Sequence, residues 1–114
     1  MIVDVGKNKI RDWISDKVVK AGLGLNGADV SASDTGLNNN ADLGTAGTIK
    51  DLTTSLTDKQ FQKDYFLGSL EGNNNTYKEW GMHDNSTLFN RIAFYDLGKS
   101  DTEEWSISCV IKVI

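Results

Sequence analysis

Proline is absent from the chain, and cysteine and histidine occur once each. A single cysteine closes no intrachain disulfide, so the fold does not depend on an oxidising compartment. One cysteine and one histidine do not complete a closed zinc site within one chain. No apolar run approaches the roughly 20 residues that cross a bilayer. The segment Met1-Ile2-Val3-Asp4-Val5-Gly6-Lys7 has no basic stretch followed by an apolar one, so no signal peptide is expected and cytoplasmic synthesis is the default. A basic excess is missing too: 12 Lys and Arg are scattered among 16 Asp and Glu, for a net charge of −4. Phosphate binding needs clustered Lys and Arg, which argues against nucleic acid as a partner.

What is present points to β-structure. A length of 114 residues fits one domain able to bury a core with modest margin. The hydrophobic share of 39% is low for a self-contained globule, while 11 glycines and frequent asparagine imply long polar loops.

The chain divides into three parts. A helix is expected over about 7–20, where Ile10, Trp13, Ile14 and Val18 fall on one helical stripe. Its polar face lacks the basic excess of a membrane-surface helix, so it should pack on a sheet. Residues 21 to about 46 are interrupted by Gly22, Gly24, Gly27, Gly36 and Gly44, with Asn38-Asn39-Asn40 in the middle. This part should be loop, with a short strand near Ala21–Leu25. So long a loop in a compact domain is either functional or ordered by a neighbouring chain. Residues 48–114 read as antiparallel strands. Gln60–Leu70 places Phe61, Tyr65 and Leu67 on one face, and Tyr77–Met82 and Leu88–Leu97 follow across polar turns. In the last segment Trp105, Ile107, Cys109, Ile111 and Val113 alternate with Ser106, Ser108, Val110 and Lys112, the pattern of a strand with one face in the core. The expected fold is α+β and mainly β: an antiparallel meander or small β-sandwich of about four to six strands with one N-terminal helix.

Most apparent motifs have ordinary explanations. Gly22-Leu23-Gly24-Leu25-Asn26-Gly27 matches G-x-G-x-x-G, but no helical period follows it, and a dinucleotide site requires one. His83, in a turn beside Asp84 and Asn85, and Cys109 offer the residue types of a nucleophilic pair. Cys109 stands at an inward position of an apolar strand, where a small buried residue is the simpler reading. Asp84 with Asn85, or Asp29 with Asp34, lacks calcium-loop spacing. Asn74-Asn75-Thr76 and Asn85-Ser86-Thr87 match the glycosylation sequon, which carries no weight without a secretory route. Accordingly no catalytic residue, cofactor or metal is expected.

Glu79 stands apart. It lies between Lys78 and Trp80 on a half-buried strand with no second carboxylate placed for hydrolysis. A structural role is expected instead: pairing with Arg91 on the next strand, or accepting backbone N–H groups at a Gly81 turn.

The order of features resembles small virion proteins of tailed viruses of bacteria and archaea, and the N-terminal domains of their tail-collar and tail-fibre proteins. Shared are an N-terminal helix with an Ile-Arg-Asp pattern, a short Gly-rich strand, and a loop like Ser31-Ala32-Ser33-Asp34-Thr35-Gly36-Leu37. Segments similar to Glu79-Trp80-Gly81-Met82 and Leu88-Phe89-Asn90-Arg91 follow, and then a closing strand, here Trp105–Ile114. Leu23-Gly24-Leu25-Asn26-Gly27 departs from the usual Val-Gly-x-Gly, and Met82 replaces the usual Leu. The resemblance implies a non-enzymatic, multimeric virion component of the tail, baseplate or neck and collar. Its partners would be copies of itself and other virion proteins. Ser33, Asp34, Thr35 and Leu37 would then belong to a loop ordered between subunits, and closed symmetry would satisfy the strand edges. The rival within this class is a capsid decoration or vertex protein on the head. The rival outside it is a module contacting host-surface glycans through Trp13, Trp80 and Trp105, although the periodic positions of Trp13 and Trp105 place both in the core.

Overall fold

The computed structural model describes all residues, Met1–Ile114. It is α+β and mainly β, with one N-terminal helix and two antiparallel sheets. The helix is α1 (Asp4–Ser15), and the strands are β1 (Lys20–Gly24), β2 (Lys50–Asp51), β3 (Thr53–Thr57), β4 (Gln60–Leu67), β5 (Asn75–His83), β6 (Ile92–Lys99) and β7 (Trp105–Lys112). The first sheet runs β2-β1-β5-β6 and the second β3-β4-β7. This is a sandwich rather than a simple meander, since β1 lies between β2 and β5. Leu52 is the corner where the chain leaves one sheet for the other, and its N–H is held by the Val19 carbonyl at 2.9 Å.

The core lies between the sheets. Ala21 and Leu23 of β1 and Trp80 and Met82 of β5 meet Tyr65 and Leu67 of β4, all essentially without exposure. Tyr65 and Trp80 pack edge to face with centroids 6.0 Å apart, a geometry the ring quadrupoles favour. The Tyr65 hydroxyl donates to the Thr48 carbonyl at 2.6 Å, which satisfies its one polar atom.

The helix is shorter than its sequence period implies, and it is turned. Its sheet-facing stripe is the polar set Asp4, Asn8, Arg11 and Ser15, at i, i+4, i+7 and i+11. Asp4 pairs with Lys59 at 3.1 Å, and Asn8 Oδ1 accepts the Lys59 N–H at 2.7 Å. Arg11 donates to the Thr57 carbonyl at 2.7 Å, and Lys63 of β4 donates to the Ser15 carbonyl at the helix end at 2.9 Å. These ties to the β3–β4 hairpin fix the contact face. Ile14 reaches the core and Val18 does so beyond the helix, but Trp13 points away and is 64% exposed. The expectation of a buried Trp13 is corrected on this ground.

The closing strand also differs from expectation. The inward residues Trp105, Ile107, Cys109 and Ile111 pack against the core yet remain only half-buried, because β7 is the last strand of its sheet. Ile114 is fully exposed.

Candidate functional site

The outer face of the first sheet carries Gly22, Gly24, Glu79, Gly81 and His83, as the register Gly22↔Gly81 and Gly24↔Glu79 requires. The loop of residues 25–46 and the turn of residues 84–91 lie across this face. Glycine is what lets them approach. A Cβ on Gly22 would stand 2.5 Å from the Leu43 carbonyl oxygen, one on Gly81 would stand 2.7 Å from the Asn90 carbonyl oxygen, and one on Gly24 would overlap the Glu79 carboxylate. Gly81 is therefore a mid-strand residue under close backbone contact. No turn occurs there, contrary to one of the two roles expected for Glu79.

At the centre of this layer Glu79 and Arg91 form a buried ion pair. Arg91 Nε donates to Glu79 Oε1 at 2.7 Å, with the side chains 2% and 0% exposed. Arg91 immediately precedes β6 rather than lying on it. The other carboxylate oxygen, Glu79 Oε2, accepts the backbone N–H groups of Asn26 at 2.7 Å and Asn38 at 2.8 Å. Arg91 Nη1 donates to the Asp29 carbonyl at 3.3 Å and to Asp34 Oδ2 at 3.2 Å. Its Nη2 donates to the carbonyls of Asn26 at 3.0 Å and Ala28 at 2.8 Å. Each guanidinium N–H therefore has an acceptor, and the buried carboxylate has three donors. Burial works against the Arg91 charge, but the carboxylates of Glu79 and Asp34 outweigh it and hold its pKa above the ordinary value.

The loop is thus tied down by its own chain. Leu37, expected at a subunit contact, is fully buried, with Gly81 approached by its side chain. Asp34 is half-buried on Arg91, and Asp34 Oδ2 also accepts the Ser31 N–H at 2.9 Å. Ser33 and Thr35 alone of the four face solvent. Within the chain the ion pair supplies partners for its backbone, and Leu37 supplies burial.

His83 is not in an open turn. It closes β5 at 1% exposure; Nδ1 accepts the Asn85 N–H at 3.0 Å, and Nε2 has no hydrogen-bond partner. Burial, and then the nearby Lys20 cation, lower its pKa below the usual imidazole value. Cys109 lies on the other sheet, and burial raises the pKa of its thiol, which disfavours the nucleophilic thiolate. The two residues are not brought together. Asp84 caps its own turn, with Oδ1 accepting the N–H groups of Ser86 at 2.9 Å and Thr87 at 2.7 Å.

A second feature was not read from the sequence. Between the β6 and β7 edges the sandwich stays open as an apolar groove of about 450 Å³, floored by Leu23 and Trp80, walled by Ile92, Phe94, Trp105 and Ile107, and rimmed by Glu104. Trp105 is braced there edge to face on Tyr77, with centroids 5.8 Å apart. The strict alternation of β7 was the available signal, but it does not tell an edge strand from a central one. No family model, curated protein or solved structure matches the chain.

Proposed function

We propose that this protein is a non-enzymatic structural subunit of a tailed-virus particle, a tail, baseplate or neck and collar component that works by self-assembly and by docking to other virion proteins. One observation carries the reading. Of the segments that bear the sequence resemblance, Ser31–Leu37 is far in the chain from Glu79–Met82 and Leu88–Arg91, yet all three converge on the Glu79–Arg91 pair. Their polar groups bind one another: Asn90 Oδ1 accepts the Met82 N–H at 2.9 Å, in the same cluster where Arg91 binds Asp34 and Glu79. A cluster whose donors and acceptors are matched internally serves to hold a shape. The shape it holds is a loop layer on one sheet, while the β6 and β7 edges of the sandwich stay unpaired beside an apolar groove.

The glycan-binding reading needs a shared aromatic platform. Trp13 is on the outer side of α1, Trp80 is in the core and Trp105 is in the groove, so the three form no such surface.

Quantitative mass spectrometry of purified particles tests the proposal, with immunogold labelling to locate the protein. Stoichiometric copies at the tail or neck are expected. Label confined to the head makes it a decoration or vertex protein, and absence from particles that assemble and infect normally overturns the structural role.

A further inference from the structure

The sandwich has four outer strands, and three carry a feature that discourages pairing with another chain. β2 has two residues. β3 has five and is flanked by Asp51 and Asp58. In β6 the ladder is broken: Tyr77 opposes Leu97 while Glu79 opposes Ala93, so Lys78 alone faces Phe94, Tyr95 and Asp96. That irregularity bends β6, and the unpaired stretch carries the charge of Asp96. β7 is neither short nor irregular, and its charges, Glu104 and Lys112, stand only at its two ends. It runs in unbroken register with β4 from Leu67↔Trp105 to Gln60↔Lys112, with no glycine and no charge from Trp105 to Ile111.

We infer that the free edge of β7 pairs antiparallel with β7 of a second copy about a two-fold axis at Ser108, joining the two three-stranded sheets into one of six. The inference deepens the self-assembly reading above and rests on it. Direction of the backbone groups comes first. The Val113 N–H donates to the Lys59 carbonyl at 2.8 Å, so odd-numbered residues of this strand bond toward β4. The N–H and C=O groups of Ser106, Ser108, Val110 and Lys112 therefore point to the open edge. Register comes second. Antiparallel partners lie on the same face of a sheet, so only registers pairing odd with odd keep apolar residues opposite apolar ones. Centred on Ser108, Ile107 faces the partner's Cys109 and Trp105 faces the partner's Ile111. In the same register Lys112 lies opposite the partner's Glu104, and Glu104 opposite the partner's Lys112. This charge complementarity selects Ser108 over a neighbouring centre at Cys109, which would set Lys112 against the partner's Ser106. Burial comes third. The half-exposed inward residues of β7 and the groove behind them gain a cover from the partner's inward residues, as a self-complementary two-fold interface provides.

Sedimentation velocity over a range of concentrations tests this, with three variants. Ser108→Pro removes an N–H that faces the open edge, which an outer strand tolerates. Wild type is expected to dimerise, and Ser108→Pro is expected to be a folded monomer by circular dichroism and thermal melting. Lys112→Glu sets like charges against each other twice and is expected to weaken the dimer about tenfold. The double variant Glu104→Lys/Lys112→Glu is expected to restore it, which a merely misfolded strand would not do. A wild-type monomer throughout, a dimer unaffected by Ser108→Pro, or no recovery in the double variant overturns the inference. A monomeric chain that is present in particles would sink the edge pairing and leave the virion role standing; an edge-dependent dimer absent from particles would do the reverse.

Discussion

The two sides of the sandwich solve opposite problems. On the outer face of the first sheet a long polar segment with few large apolar residues is held by one buried ion pair and the fully buried Leu37. At the β6–β7 end, residues that are apolar by every sequence criterion remain half-exposed. Order here follows hydrogen-bond satisfaction more closely than it follows hydrophobicity. The loop is fixed because its backbone groups have buried charged partners, whose hydrogen bonds exceed neutral ones in strength. The edge is open because its backbone groups have no partner within the chain.

The sharpest way to break this contrast is Arg91→Ala. It leaves the Glu79 carboxylate buried without a cation and strips acceptors at Asn26, Ala28, Asp29 and Asp34 of their donor. Removal of one partner of a buried pair typically costs about 3–5 kcal/mol. A loss of that size in urea unfolding is expected, with hydrogen exchange accelerated across residues 25–46. Glu79→Ala should release the same segment, since it removes the acceptor of the Asn26 and Asn38 N–H groups. If both variants melt like the wild type with the loop still protected, the pair does not hold the layer.

Gly81→Ala probes the same face through packing. A methyl there meets the Asn90 carbonyl and the Leu88 side chain, and one of them must move. Overpacking of this kind typically costs about 1–3 kcal/mol. On the other side, Trp105→Ala in the monomeric Ser108→Pro background should cost only about 1 kcal/mol, because within one chain the side chain is half-buried and full burial of a large apolar group is worth about 1.5–3 kcal/mol. Thermal melts of the two variants side by side rank the regions directly. A Trp105→Ala loss as large as that of Arg91→Ala would mean that the groove is closed in solution.

Much of the fold was legible because local pattern and burial agree there. The alternation in β4 placed Phe61, Tyr65 and Leu67 inward, and all three are buried. The same alternation hid Lys63, which shares that face at 3% exposure and reaches the helix end to bond Ser15. Glu79 and Arg91 were named from their place on adjoining segments, and they are in contact. Their further partners Asn26, Ala28 and Asp29 were not legible, because a backbone acceptor leaves no mark in the residue type. Trp13 was misplaced for a related reason. Hydrophobic period identifies the face that a helix prefers to bury, but four polar ties on the opposite stripe decided which face met the sheet. Gly22 and Gly24 fall in the short strand expected near Ala21–Leu25, but that they are thinned there to admit the loop above them was not legible.

The smallest effect concerns acid, and it separates the two sides once more. His83 lies buried under the loop layer; burial and the Lys20 cation oppose its protonation more than Asp84 and the Leu43 carbonyl favour it. Its pKa in the folded chain is therefore below the ordinary 6.5. As pH falls through 6.5 the unfolded chain takes up a proton that the folded chain refuses, so stability is lost on acidification until the lower, folded pKa is reached. Thermal melts between pH 7.5 and pH 5 should show this decline, and His83→Gln should flatten it whatever its own baseline. Hydrogen exchange at the lower pH should loosen the loop layer first and leave β7 unchanged, since no histidine lies near that edge. An equal slope in His83→Gln would assign the acid sensitivity to the carboxylates instead.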